Sequence, residues 1–322
     1  MKKQVLCVFL LATCSVVCSA SAPKWLLDAE RAFPSEKYIR AIGEGKSVEN
    51  AKKNALAELG AYFSQTVSSE INAVQRLSKS EGFLQKEQLT RSVNTSSLAK
   101  LFAVHYTDFY HDKSQKSYSI CAYIVRDEAW SIVSKRLSVV QSAFKNGIAL
   151  AESESEPFKK VLAMNRAFSL EEEFFELYEM ALVVYPKKCG DYTKTAENIE
   201  REKQNAARLK KDVSVSVSVN GDFSAQIKTK IESLLSQNGF TVFQNGSYKL
   251  NATVWARIHE SGGVYSCTPR LDVVIQGKNG AVASFADEVE KFSAYNAQTA
   301  EKVSLSNLEA ILDEKFVREC LQ

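Results

Sequence analysis

The residues able to do chemistry are few and scattered. The chain has three histidines, His105, His111 and His259, and seven cysteines. Nucleophilic catalysis of the Ser-His-Asp or Cys-His kind needs an imidazole held beside the nucleophile, and no histidine here stands in a spacing that suggests one. His111-Asp112 reads as a solvated hairpin tip. Three cysteines lie in the first twenty residues; Cys121, Cys189, Cys267 and Cys320 are far apart. A zinc site built on cysteines needs short paired spacings, so no metal site is expected. An exported chain can oxidise its thiols, and Cys267 with Cys320 is the first candidate disulfide; buried, idle thiols are the alternative. Glu171, Glu172 and Glu173 are adjacent acids, but successive positions on a helix point in different directions. They suit the first turn of a helix instead. No catalytic residue, cofactor or metal is assigned from these patterns.

One stretch invites phosphate chemistry: Gly43-Glu44-Gly45-Lys46-Ser47. A phosphate-cradling loop of the Walker type needs a further glycine five positions before Gly45. Arg40 stands there, inside an apolar strand. The expectation is a strand–turn–helix junction, with Gly43 and Gly45 turning the chain tightly and Ser47 capping the helix.

That junction organises the first half. A strand at 38–42 enters it. Beyond it Val48, Ala51, Ala55, Leu59, Tyr62 or Phe63, Val67, Ile71 and Val74 recur at three- or four-residue steps, one face of a long helix. Residues 78–100 are polar and read as an excursion or irregular edge strand. Residues 101–110 and 118–125 alternate as strands around the turn at 111–117. Together these make β-α-β-β, closed by a helix from near Asp127. From there to 212 the chain reads as helix. Pro157 opens one segment, Ser169 with Glu172 suggests a capping box for another, and Pro186 ends it. Residues 191–211 are charged on most faces and read as an exposed helix or stalk.

Val213, Val215, Val217 and Val219 then alternate with serines as a strand with one buried face. A helix follows, then a hairpin turned at Asn245-Gly246, a second hairpin turned at Asn279-Gly280, and a final helix over 297–321. The fold class expected is α+β: two small sheet-and-helix domains, β-α-β-β and β-α-β-β-β-β-α, joined by a helical segment. The boundaries are 23–136, 137–211 and 212–322, after a signal at 1–20.

The signal reading rests on Lys2 and Lys3 followed by an apolar run over 5–17 and small residues at 18–22. Cleavage after Ala20 would free a soluble envelope protein. The alternative is lipidation of Cys14 or Cys18 and an anchor in a membrane. The residues before these two cysteines fit a lipidation motif poorly, which favours simple cleavage. A net charge of only +3 argues against nucleic acid as a partner.

The entry Pro23-Lys24-Trp25-Leu26, the 38–47 strand and junction, the small-residue helix at 49–67 and the strand at 117–130 together resemble the Lpp-twenty lipoprotein family. They also resemble the N-terminal domain of the flagellar assembly protein T. The resemblance covers 23 to about 136. It implies a bacterial envelope protein facing the periplasm, often anchored to the outer membrane, with no catalytic residues to carry over. The last domain shares only topology with β-α-β-β envelope modules. The reading that follows is a non-enzymatic envelope protein of the periplasm or outer membrane, serving assembly or scaffolding by binding other envelope proteins. Sheet edges such as the strand at 213–219 would take a partner strand. The alternative is a binding module for a small ligand or cell-wall glycan, using Trp255, Tyr265 and Tyr248.

Overall fold

The computed structural model describes residues 22–77 and 104–322. The signal at 1–20 with Cys14 and Cys18, the polar stretch at 78–100 and the start of the strand at 101–110 lie outside the described residues. The fold is α+β, and the chain divides into two compact units, one within Met1–Tyr62 and Asn94–Ala129, the other within Phe63–Val93 and Trp130–Gln322.

In the first unit two single-turn helices, α1 (Lys24–Leu27) and α2 (Ala29–Ala32), lead to strand β1 (Tyr38–Gly45) and helix α3 (Val48–Leu77), whose residues as far as Tyr62 belong to this unit and the rest to the second. The Ser47 hydroxyl accepts the Asn50 amide at 3.2 Å, as an N-cap should. The apolar stripe of α3 is buried at Ala51, Ala55, Leu59, Phe63, Val67 and Ile71, whereas Tyr62 stays outside.

The glycines ahead of α3 do something other than expected. Gly43 and Gly45 are not a turn; they are the last residues of β1, paired with Ile120 and Tyr118. Neither has a positive φ. They are glycine because α3 lies directly on them: a Cβ at Gly45 would stand 2.6 Å from the Ala51 nitrogen, and one at Gly43 would overlap the backbone of Ala51 and Ala55. The small Ala51 and Ala55 pack there against Ile120 and Ala122.

Strand β4 (Ser117–Val125) is the centre of this sheet, between β1 on one side and β2 (His105–Tyr106) and β3 (Tyr110–Asp112) on the other. The expected continuous strand at 101–110 is broken at residues 107–109. Thr107 causes a local substitution in the ladder: its amide donates to the Cys121 carbonyl at 3.0 Å, and its hydroxyl accepts the Cys121 amide at 3.1 Å.

Besides the later part of α3, the second unit contains most of α4 (Arg126–Ser153), then α5 (Pro157–Phe168), α6 (Glu171–Val184) and α7 (Gly190–Asp212). Pro157 does open a helix, with the Glu156 carboxylate accepting the Lys159 amide at 3.0 Å. The capping box at Ser169 does not form: α6 has no side-chain cap, and the Ser169 hydroxyl donates back to the Arg166 carbonyl. Nor is α7 a bare stalk. Thr195, Ala196, Ile199, Glu202 and Ala206 are buried along one face, a stripe of mostly small residues that simple hydropathy underrates.

A five-stranded sheet follows, in the order β11-β10-β7-β5-β6, from β5 (Ser214–Gly221), β6 (Thr241–Val242), β7 (Tyr248–Trp255), β10 (Arg270–Gly277) and β11 (Gly280–Glu288). A separate ribbon of β8 (His259–Ser261), β9 (Val264–Cys267) and β12 (Phe292–Ala294) completes the strands. Helix α8 (Ser224–Gln237) connects β5 to β6. The chain finishes in α9 (Ala297–Ile311), whose last turns, Leu312–Leu321, widen to π geometry. One apolar core joins these elements, with Val215, Ile231, Leu250, Val273, Leu308 and Phe316 at its centre; Phe158, Val161 and Leu162 of α5 belong to it as well.

The Asn279-Gly280 hairpin is present, with Gly280 at φ +116°. The Asn245-Gly246 hairpin is not. Strands β6 and β7 do not pair with each other; both run parallel to β5, on its opposite sides. Gly246 is glycine because the loop crosses the backbone of β5, where a Cβ would stand 2.5 Å from the Ser216 nitrogen.

Candidate functional site

The groups singled out for chemistry do not converge. Glu171 pairs with Lys203 at 2.8 Å and Glu173 with Arg136 at 3.1 Å, so the acidic run is divided between different partners. The His105 ring stacks on Tyr123 with centroids 5.3 Å apart, and its Nε2 lies 3.5 Å from Glu128. The His111 ring stacks on Tyr118 at 4.5 Å. Among the described residues no three His, Cys, Asp or Glu side chains are grouped to hold a metal ion. Cys121, Cys189, Cys267 and Cys320 are all buried free thiols. Cys267 and Cys320 line the same apolar core. Burial pushes the thiol of Cys121 up to about 11 and those of Cys189 and Cys320 up to about 12.

The three aromatics read as a ligand platform also separate. Tyr248 is buried and its hydroxyl bonds to Glu156. Tyr265 sits on the ribbon opposite Glu260. Trp255 alone is well exposed, at 45 %, with the Arg270 guanidinium 5.4 Å from its ring.

What the second unit does present is an incomplete sheet. The order of strands corrects the expectation that 213–219 is an edge: β5 lies inside, between β7 and β6. Yet β6 is only two residues long and covers β5 at Ser214 and Val215 alone. The Thr241 amide donates to the Val213 carbonyl at 3.3 Å, and the Phe243 amide to the Val215 carbonyl at 3.0 Å. Strand alternation therefore turns the amides and carbonyls of Val217 and Val219 to this same side. No backbone bond among the described residues meets them there. Beside this open run stands Phe243, 61 % exposed. Its neighbours on β5, from Ser216 to Gly221, carry no charge. The charged side chains that commonly guard a strand edge are thus missing from it.

Comparison with known proteins adds the following. No family model and no curated protein matches the chain. Among solved structures it is similar to the secreted protein HP1454 of Helicobacter pylori, at 15% identity and a TM-score of 0.40, over 86% of this chain and 98% of that one. Lipoprotein GNA1162 of Neisseria meningitidis aligns at 11% identity and a TM-score of 0.24, over 32% of this chain and 99% of that one. A putative lipoprotein of Caulobacter crescentus aligns at 16% identity and a TM-score of 0.19, over 31% and 91%. At these scores the likeness carries no argument about what this chain does. Among the described residues no helix is long and apolar enough to cross a membrane.

Sequence reasoning found the alternating strand but missed Phe243. The signal was there, a second phenylalanine closing the run Phe240-Thr241-Val242-Phe243. Its meaning depends on which side of β5 that run takes, and this is not a local property.

Proposed function

We propose that this chain is an exported cell-envelope protein that works by holding another envelope protein, without catalysis of its own. The partner supplies an extended segment, which adds to the open run of β5 beyond Val215 and covers Phe243. The observation that carries the reading is that run: the amides and carbonyls of Val217 and Val219 unmet on one side, next to an exposed aromatic ring. Strand addition gives main-chain hydrogen bonds for affinity and a side-chain anchor for selectivity. The export signal read at 1–20 and the resemblance of 23–136 to envelope lipoproteins support the compartment.

The test is Val219→Pro. Proline is tolerated in a strand where its missing N–H faced no partner, but it blocks a further strand there. Crosslinked envelopes should yield a stable partner with the parent chain and lose it with the variant, while both melt alike. A parent chain that stays alone and monomeric, or a variant that still captures the partner, overturns the proposal.

A further inference from the structure

A second surface of the same unit, independent of the strand edge, collects positive charge. Where β7 leaves the sheet at Trp255, the chain continues through Arg257 into β8 at His259. In the ribbon His259 stands opposite Ser266, and Glu260 opposite Tyr265. Alternation along the strands puts Glu260 on the other face from His259. Lys291 arrives just ahead of Phe292, which pairs with Cys267. The result is a recess of about 600 Å³ lined by Trp255, Arg257, His259, Ser266, Thr268 and Lys291, with no carboxylate on its wall.

None of Arg257, His259 and Lys291 has an ion pair or side-chain hydrogen bond among the described residues. Arg270, next to the recess, is different: Asp272 holds it at 3.0 Å and it lies against the Trp255 ring. The charges around the recess are therefore left for something else. The like charges of Arg257 and Lys291 facing one concavity raise its positive potential, and an anion entering it is attracted by both at once, with the His259 ring N–H as a further donor. The indole adds an apolar wall, and Ser266 and Thr268 add hydroxyls that both donate and accept.

We infer that this recess binds an anionic sugar, a pyranose carrying a phosphate or carboxylate, with the acid group among Arg257, His259 and Lys291 and the ring against Trp255. A free sugar phosphate and the phosphorylated sugar headgroup of a glycolipid share this chemistry. Calorimetric titration of the full chain with glucose 6-phosphate, and with glucose, tests it. Flotation with phosphatidylcholine vesicles, with and without lipid A, separates the two sources.

Glucose 6-phosphate or the lipid A vesicles should bind, glucose and plain vesicles should not, and binding should weaken as salt is raised. The double variant Arg257→Ala/Lys291→Ala should lose about tenfold or more in affinity with an unchanged melting temperature. Trp255→Ala should weaken the sugar phosphate but leave inorganic phosphate as before. Failure of both anionic probes to bind, or an unaltered affinity in the double variant, overturns the assignment. So does equal binding of glucose. The strand-edge proposal survives any of these results, because its variant and readout are different.

Discussion

Gly43 and Ala55 meet backbone to backbone: a Cβ on Gly43 would stand 2.1 Å from the Ala55 amide nitrogen. This contact sets how closely α3 can lie on β1. It explains why the segment that looks like a phosphate loop is glycine-rich without being one.

Gly43→Ala should therefore destabilise the first unit. The atom that must give way is backbone rather than a flexible side chain, so the loss should reach about 1–3 kcal/mol or more. Denaturant unfolding monitored by circular dichroism measures it. A Gly262→Ala control, in a turn where a Cβ meets nothing within 4 Å, should cost only the strain of its φ of +60°.

Acid should loosen the entry segment. The Ser35 amide first, then the Arg40 guanidinium at 2.7 Å and the Ser35 hydroxyl, hold the Glu30 carboxyl at about 2, against an ordinary 4.5. The folded-state value is lowered, so this contribution is present above pH 4.5 and is lost as pH falls towards 2. Arg40→Ala should raise the Glu30 value part of the way, because the Ser35 amide remains. Titration of the Glu30 side chain by NMR reads this directly.

Alkali should act through the thiols. Between their ordinary value of 9.0 and the folded-state values of about 11 and 12, the unfolded chain releases protons that the folded chain keeps. Stability is thus intact below pH 9 and falls as pH rises towards 12. Melting curves from pH 8 to pH 11 check the slope. Cys189→Ala should flatten it, at the cost of a small cavity. Alkylation at pH 8 should be negligible in the native chain, and in non-reducing denaturant it should label Cys121, Cys189, Cys267 and Cys320 alike.

Cleavage of the signal read at 1–20 would leave a mark on the N-terminus. Mass spectrometry of the mature chain from envelopes should show cleavage after Ala20 and a first residue of Ser21. A chain beginning at a lipid-modified Cys18 or Cys14 would instead make it an anchored protein.

Much of the local structure was legible because periodicity is a local signal. The α3 stripe from Ala51 to Ile71, the Ser47 cap, the helix start at Pro157 and the Val-Ser alternation of β5 each depend on residues within a turn or two of one another. The misreadings share one cause. Gly43, Gly45 and Gly246 read as turns, and the small residues at 191–211 as a stalk, because a small residue type states a steric need without stating its source. A glycine is required both where φ is positive and where another backbone passes too close for a Cβ. Only the partner distinguishes the two.

The sequence by itself determined the α+β class, the placement of most helices and strands, and the scarcity of groups with catalytic spacing. The tertiary structure alone decided that β6 and β7 flank β5 rather than pair with each other, that β6 stops after Val242, and that Arg257, His259 and Lys291 share one recess. Strand order and the gathering of distant charges are set by how the apolar faces of separate elements bury together. That is a property of the whole core, and no window of residues contains it.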